Sequence, residues 1–185
     1  TEGRWENAFT ASAFSAEEDS EQNAERYAAG WKSSFDFSEF NYVFVNFTYD
    51  KDLFGGIRES MTETIGYGRR VIHSPRQTLN MELGAGARQQ ETQKPESLEE
   101  DEAIVRAALT YLYKFTDTAS FSQKLLVESG DENTYSESVS GLKLTIVGPT
   151  FAGITYTVKR NSDVAVGTEK TDTYMSVSLS YEFGS

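Results

Sequence analysis

Lys32, Arg70, Arg88, Arg106, Lys114, Lys124, Lys143 and Lys159 share one property with a smaller acidic set, Glu6, Asp36, Glu82, Glu128 and Glu182. Each falls on the polar parity of a segment that alternates polar and apolar residues. Charges held on one face of such segments can do two kinds of chemistry. Ringed around a narrow channel they decide which ions pass; opposed across a small interior they pair and fill it. The set carries more cations than anions. The first reading therefore predicts a water-filled path favouring small anions, the second a mixed-charge plug, and the alternation admits both.

Other chemistries find little support. The chain has one histidine, His73, in a predicted turn two residues before Pro75, and a general base needs a nucleophile or activated water beside it. The adjacent Glu99 and Glu100 lie on a predicted loop with no apolar surroundings to shift them. There are no cysteines, so thiolate metal sites, disulfides and cysteine nucleophiles are excluded. The acidic runs EEDSE, SLEEDE and GDEN could attract hard cations, but none has the spacing of a calcium loop, and solvated loop charge explains them better. A formal charge of -12 opposes nucleic-acid binding. The expectation is a non-enzyme with no cofactor and no metal.

The elements that would position the charges are strands. A spanning helix needs about 20 consecutive apolar residues, and no run here approaches that. Period-two alternation, by contrast, is long and repeated. Met175, Val177, Leu179, Tyr181 and Phe183 oppose Ser176, Ser178, Ser180 and Glu182. Leu79, Met81, Leu83, Ala85 and Ala87 oppose Asn80, Glu82, Gly84, Gly86 and Arg88. Val105 to Phe115 behaves alike, with Ile104 and Leu112 as exceptions on the polar side. Similar patterns run through 4–16, 26–38, 42–53, 60–72, 121–130, 135–147 and 151–161, which makes ten strands in one domain, 1–185. Their length suits a bilayer, which needs about 9–11 residues per strand.

The connections predict an orientation. Short turns at 39–41, 73–77, 116–120 and 147–150 alternate with longer acidic loops at 17–25, 53–60, 92–102, 130–134 and 162–171, the asymmetry of outer-membrane barrels. Phe35, Phe37, Tyr111, Tyr113, Phe115, Phe121, Tyr181 and Phe183 fall near the short-turn ends, where a girdle of interfacial rings is expected. Inward Gly66, Gly68, Gly84 and Gly86 would leave space or allow a barrel corner to bend, and bending is the better fit.

The segments GYGRRVI (66–72), RQTLNMELGAGARQ (76–89), YKFTDTASF (113–121), NTYSES (133–138) and TVKRNSDV (157–164), followed by GTEKTDT and SVSLSYEF, resemble the salt-induced, YdiY-like family of Gram-negative outer-membrane proteins along nearly the whole chain. The resemblance implies an up-and-down transmembrane β-barrel of poorly defined function, loosely tied to salt or osmotic conditions, with no catalytic residues to carry over. It also implies a further N-terminal hairpin ahead of TEGRWENAF. Without that hairpin the chain closes between its first and last strands or forms an incomplete barrel. Phe183 would be the terminal aromatic read by the barrel assembly machinery, although Gly184 and Ser185 follow it.

The expected protein is thus an all-β, antiparallel barrel in the bacterial outer membrane, a monomer in lipid or detergent, structural or porin-like with a net basic lumen. Two alternatives stand beside it. A soluble lipid-binding barrel would need apolar residues inside and charges outside. A non-conducting structural or adhesive barrel would work through its loops.

Overall fold

The computed structural model describes residues 4–18, 21–52, 57–92, 99–164 and 169–181. Within them ten strands follow one another: β1 (Arg4–Glu18), β2 (Glu21–Asp36), β3 (Asn41–Asp52), β4 (Ile57–His73), β5 (Gln77–Thr92), β6 (Glu99–Lys114), β7 (Ala119–Ser129), β8 (Thr134–Val147), β9 (Thr150–Asn161) and β10 (Thr171–Tyr181). Each pairs antiparallel with its sequence neighbour, in the order β1 to β10. This is the up-and-down topology that local alternation and short connections favour. The β8–β9 hairpin turns through Gly148 and Pro149, with Gly148 at φ 52°, a left-handed value that glycine adopts without steric cost.

The strands run further than alternation indicated. β1 and β2 reach Glu18 and Glu21, so most of the expected loop 17–25 is strand; β4 begins at Ile57 and β6 at Glu99, which shortens the loops expected at 53–60 and 92–102. His73 closes β4, opposite Thr78, rather than lying in a turn. Strict alternation of short and long connections is lost, since 130–133 is no longer than 37–40. The tips 19–20, 53–56, 93–98 and 165–168, together with Glu182 and Phe183, lie outside the described residues.

Of the two expected outcomes, closure between the first and last strands or an incomplete barrel, the sheet shows the second: it is open. Among the described residues β1 pairs only with β2 and β10 only with β9, which leaves two edges. The sheet is nonetheless strongly curved: one interior cavity is lined by residues from Arg26 on β2 round to Asp172 on β10.

Glycines in close contact with their neighbours are concentrated on β4 and β5. A Cβ on Gly66 would lie 2.6 Å from the Phe44 ring, one on Gly68 would strike the Tyr42 ring, and one on Gly86 would meet the Glu63 carbonyl oxygen. The glycines therefore let the backbones of β4 and β5 and the rings of β3 approach closely. Filling and close approach, not an open lumen, account for them.

Candidate functional site

Alternation gives every strand two faces, and the curvature makes one concave. The outer face is apolar and open: Leu83 is 65% exposed, Val177 74% and Leu179 73%. The concave face holds the charges. Arg88 and Arg106 are 2% and 8% exposed. A charge that deep is tolerable only when paired and hydrogen-bonded.

Arg88 meets that condition. It sits opposite Glu102 in the β5–β6 register, donates to Glu102 Oε1 from Nε at 2.9 Å and from Nη2 at 2.5 Å, and donates again to the carbonyl oxygen of Asn133. The other Glu102 oxygen accepts the backbone N–H groups of Glu132 at 2.9 Å and Asn133 at 3.3 Å. The β7–β8 connection is thereby tied to a buried ion pair. Asn133, itself buried, extends the tie: its side-chain N–H reaches Asn161 Oδ1 at 2.9 Å, while its Oδ1 accepts from the backbone N–H groups of Ser162 at 3.0 Å and Asp163 at 3.2 Å. In the segment GDEN the acidic side chains of Asp131 and Glu132 are exposed, as solvated charge, while the backbone and Asn133 form a clasp at one mouth of the interior.

A second network occupies the other end. Lys32 bonds Glu82, whose Oε1 also accepts the Tyr42 hydroxyl at 2.7 Å; Arg70 donates to both oxygens of Asp36 at 3.0 Å and lies over the Tyr42 ring at 5.1 Å. Arg106 joins the two ends, with Glu128 at 2.7 Å and Glu82 at 4.0 Å.

Between the networks is a waist. Phe44 is 2% exposed, Ile104 is also buried, and the Lys32 ammonium lies 4.8 Å from the centre of the Phe44 ring. Two polar atoms there, Asn46 Nδ2 and Thr64 Oγ1, are buried with no partner among the described residues. On the long-loop side of the waist is a cavity of about 230 Å³ bordered by Thr48, Thr62, Arg88, Arg106 and Glu128; on the short-turn side is one of about 510 Å³ bordered by Lys32, Tyr42, Arg70 and Glu82.

The remaining inward lysines are placed differently. Lys159 bonds Glu137 at 3.2 Å. Lys143 lies 3.6 Å from the centre of the Phe151 ring and is exposed. Lys114 and Lys124 are exposed on the same parity as Arg106 and Glu128 and meet none of the other charges among the described residues.

Sequence reasoning overlooked several inward groups. Arg26 pairs with Asp50 at 2.5 Å, and Glu102, Glu137 and Asp172 also face the interior. These added carboxylates offset the basic excess, so the expected mixed-charge interior is close to balanced rather than net basic. Glu102 was hidden because the acidic run around it obscures alternation. Ile104, an exception to the polar parity, turns out to be waist packing.

The rim aromatics sit at the short-turn ends. Trp5 faces Phe35 with ring centres 5.1 Å apart, Phe37 lies 6.3 Å from Tyr67, and Tyr113 meets Phe115 edge-on at 5.1 Å and is opposite Phe121 in register. Tyr111 donates to Gln77 at 3.3 Å, and Tyr181 ends β10.

No group on the concave face forms a nucleophile–base pair, and no cluster able to hold a metal occurs among the described residues. The arrangement can hold charge apart from water, fix a loop and block a passage. In sequence, the chain is 30% identical over 178 residues to the uncharacterized protein YdiY of Escherichia coli (strain K12), an alignment covering 96% of this chain and 68% of that protein. A family model described as a protein of unknown function, DUF481, matches residues 1–183. The chain therefore belongs to the DUF481 family, as a YdiY-like member.

Proposed function

We propose that this chain forms the wall of an outer-membrane β-barrel whose interior is held shut by ion pairs. One observation carries the reading: from β3 to β6 the outward apolar parity is the exposed one and the inward parity, with Arg88, Glu102 and Arg106, the buried one, while on β10 both parities are exposed. A soluble lipid carrier would require the reverse. A water-soluble monomer rarely exposes a contiguous apolar surface beyond a few hundred Å², whereas hydrocarbon would cover it. On β5 the outward apolar set runs from Leu79 to Ala87; at ~3.4 Å per residue and the tilt usual in such barrels, that spans about 21 Å, close to the ~25 Å apolar band expected.

The bilayer imposes one requirement. An open sheet edge has no hydrogen-bond partner in hydrocarbon, so in the membrane β1 and β10 must pair with each other or with further strands. In this reading the partners are outer-membrane lipid and, during insertion, the barrel assembly machinery, and the folded unit is a monomer without catalytic or nucleic-acid-binding function. A role in salt or osmotic response draws on the family resemblance alone, because pairs as buried as Arg88–Glu102 are screened little by bulk salt.

Planar-bilayer recording of the whole chain tests the reading. The wild type is expected to be silent, and Phe44→Ala, which empties the waist, to conduct. A steady wild-type current would overturn the closed interior. The two cavities flanking the waist favour a second reading, a narrow gated path; there, Lys124→Glu and Lys143→Glu should lower the anion-to-cation permeability ratio.

A further inference from the structure

We infer that the outer face of β4–β7 carries a phospholipid site, in which Arg69 binds the phosphate of an anionic phospholipid and the neighbouring rows hold its acyl chain. The inference rests on the membrane reading and specifies a ligand for it.

Arg69 is the starting point. It shares the outward parity of Tyr67 and Val71 and makes no hydrogen bond or ion pair among the described residues. An unpaired guanidinium on the lipid face of a barrel costs ~2–4 kcal/mol at the bilayer midplane and ~0–1 kcal/mol near the interface. Its depth is fixed by register: Arg69 is opposite Asn41, the first residue of β3, and the neighbouring Arg70 N–H bonds the carbonyl oxygen of Phe40 in the β2–β3 turn at 2.8 Å. Arg69 is therefore level with a turn, at the height of headgroups. Tyr67, whose hydroxyl bonds Asn41, flanks it, with Phe37 packed against the Tyr67 ring.

A groove of about 330 Å³ leads away from it. Its floor follows two adjacent cross-strand rows. One is Arg69, Met81, Leu109 and Leu125; the other is Tyr67, Leu83, Ala107 and Val127. Ala107 is the small residue between larger ones, which makes the depression. Leu125 lies mid-way along β7 (Ala119–Ser129) and Val127 beyond it toward the strand's far end, so the groove leaves the headgroup level and enters the apolar band. Three strand spacings of ~4.8 Å give it a length of about 14 Å, room for much of an acyl chain.

Charge complementarity selects the occupant. Guanidinium and phosphate pair through two parallel hydrogen bonds, and the carboxylates nearby are not competitors. Glu82 borders the groove but its carboxylate turns inward to Lys32 and Tyr42. Glu63 shares the outer parity of β4 but lies six residues toward the long-loop end.

The probe is dioleoyl phosphatidylglycerol, scored by native mass spectrometry on the whole chain released from phosphatidylcholine bilayers doped with it. Wild type should retain one phosphatidylglycerol. Arg69→Ala should reduce retention about tenfold, Arg69→Lys less, and Ala107→Phe, which fills the groove while leaving the guanidinium, should also reduce it. Folding of each variant is checked by heat-modifiable gel mobility. Insertion of all variants with unchanged lipid retention would remove the site and leave the membrane reading standing. Failure of the wild type to insert would remove both.

Discussion

Arg88 and Glu102 face each other across β5 and β6 with side chains 2% and 3% exposed, and the carboxylate that holds the guanidinium also holds two backbone N–H groups of the β7–β8 connection. One ion pair thus joins two strands to the loop at the mouth of the interior. Removing one partner leaves the other buried and uncompensated, which typically costs about 3–5 kcal/mol, whereas replacing both with apolar residues of similar volume is often neutral. Arg88→Met should therefore lower unfolding stability by that amount in a urea titration, and Arg88→Met with Glu102→Leu should recover most of it. A double variant as unstable as the single would show that the tie to the loop, not the unpaired charge, dominates.

Asn133 is the second half of that clasp. Asn133→Ala removes the bonds to Asn161, Ser162 and Asp163, and buried groups left unpaired cost about 1–3 kcal/mol. Hydrogen exchange should accelerate at 130–134 and 161–163 with little change on β1. Uniform acceleration over the whole sheet would contradict a local clasp.

Gly66 is occupied by the Phe44 ring. Gly66→Ala forces a Cβ into that ring and into the backbone of β5, and overpacking of this kind costs about 1–3 kcal/mol. Phe44→Ala should cost more, about 3–5 kcal/mol. Combining Gly66→Ala with Phe44→Ala should restore only the part of the loss that comes from the ring, because the Leu83 carbonyl oxygen and the Gly84 Cα still crowd the new methyl group. Strict additivity, measured by urea midpoint, would mean the two do not share the waist.

What could be read from sequence, and what could not, follows from the period of a strand. Alternation assigns a side chain to a face, so the inward parity of Arg88 and Arg106 and the outward parity of Leu83 and Leu179 were legible without coordinates. It does not say which opposed charge a side chain meets, and Glu102, Arg26 and Asp50 were missed because they lie near strand ends where acidic residues interrupt the pattern. Strand ends were misjudged for the same reason: β1, β2 and β6 continue through acidic segments that look like loop. Closure was illegible because β1 and β10 each read as an ordinary strand, whatever pairs with its far side.

The two edges supply a further expectation. In detergent, the outward-pointing amides of β1 and β10 should exchange rapidly, as unpaired edge groups do. In phosphatidylcholine bilayers the same amides should become protected, since hydrocarbon admits no unpaired edge. Rapid exchange of these edges in the bilayer would be incompatible with a spanning sheet.

The central claim concerns which parity meets lipid, and the absence of cysteine makes it directly measurable with single-cysteine nitroxide labels on the chain in phosphatidylcholine vesicles. Labels at Leu83, Val177 and Leu179 should be relaxed strongly by oxygen and weakly by a water-soluble nickel chelate, while labels at Asn80, Ser176 and Ser178 should escape oxygen. Labels that reverse this order, or that all respond to the nickel chelate alike, would contradict the account.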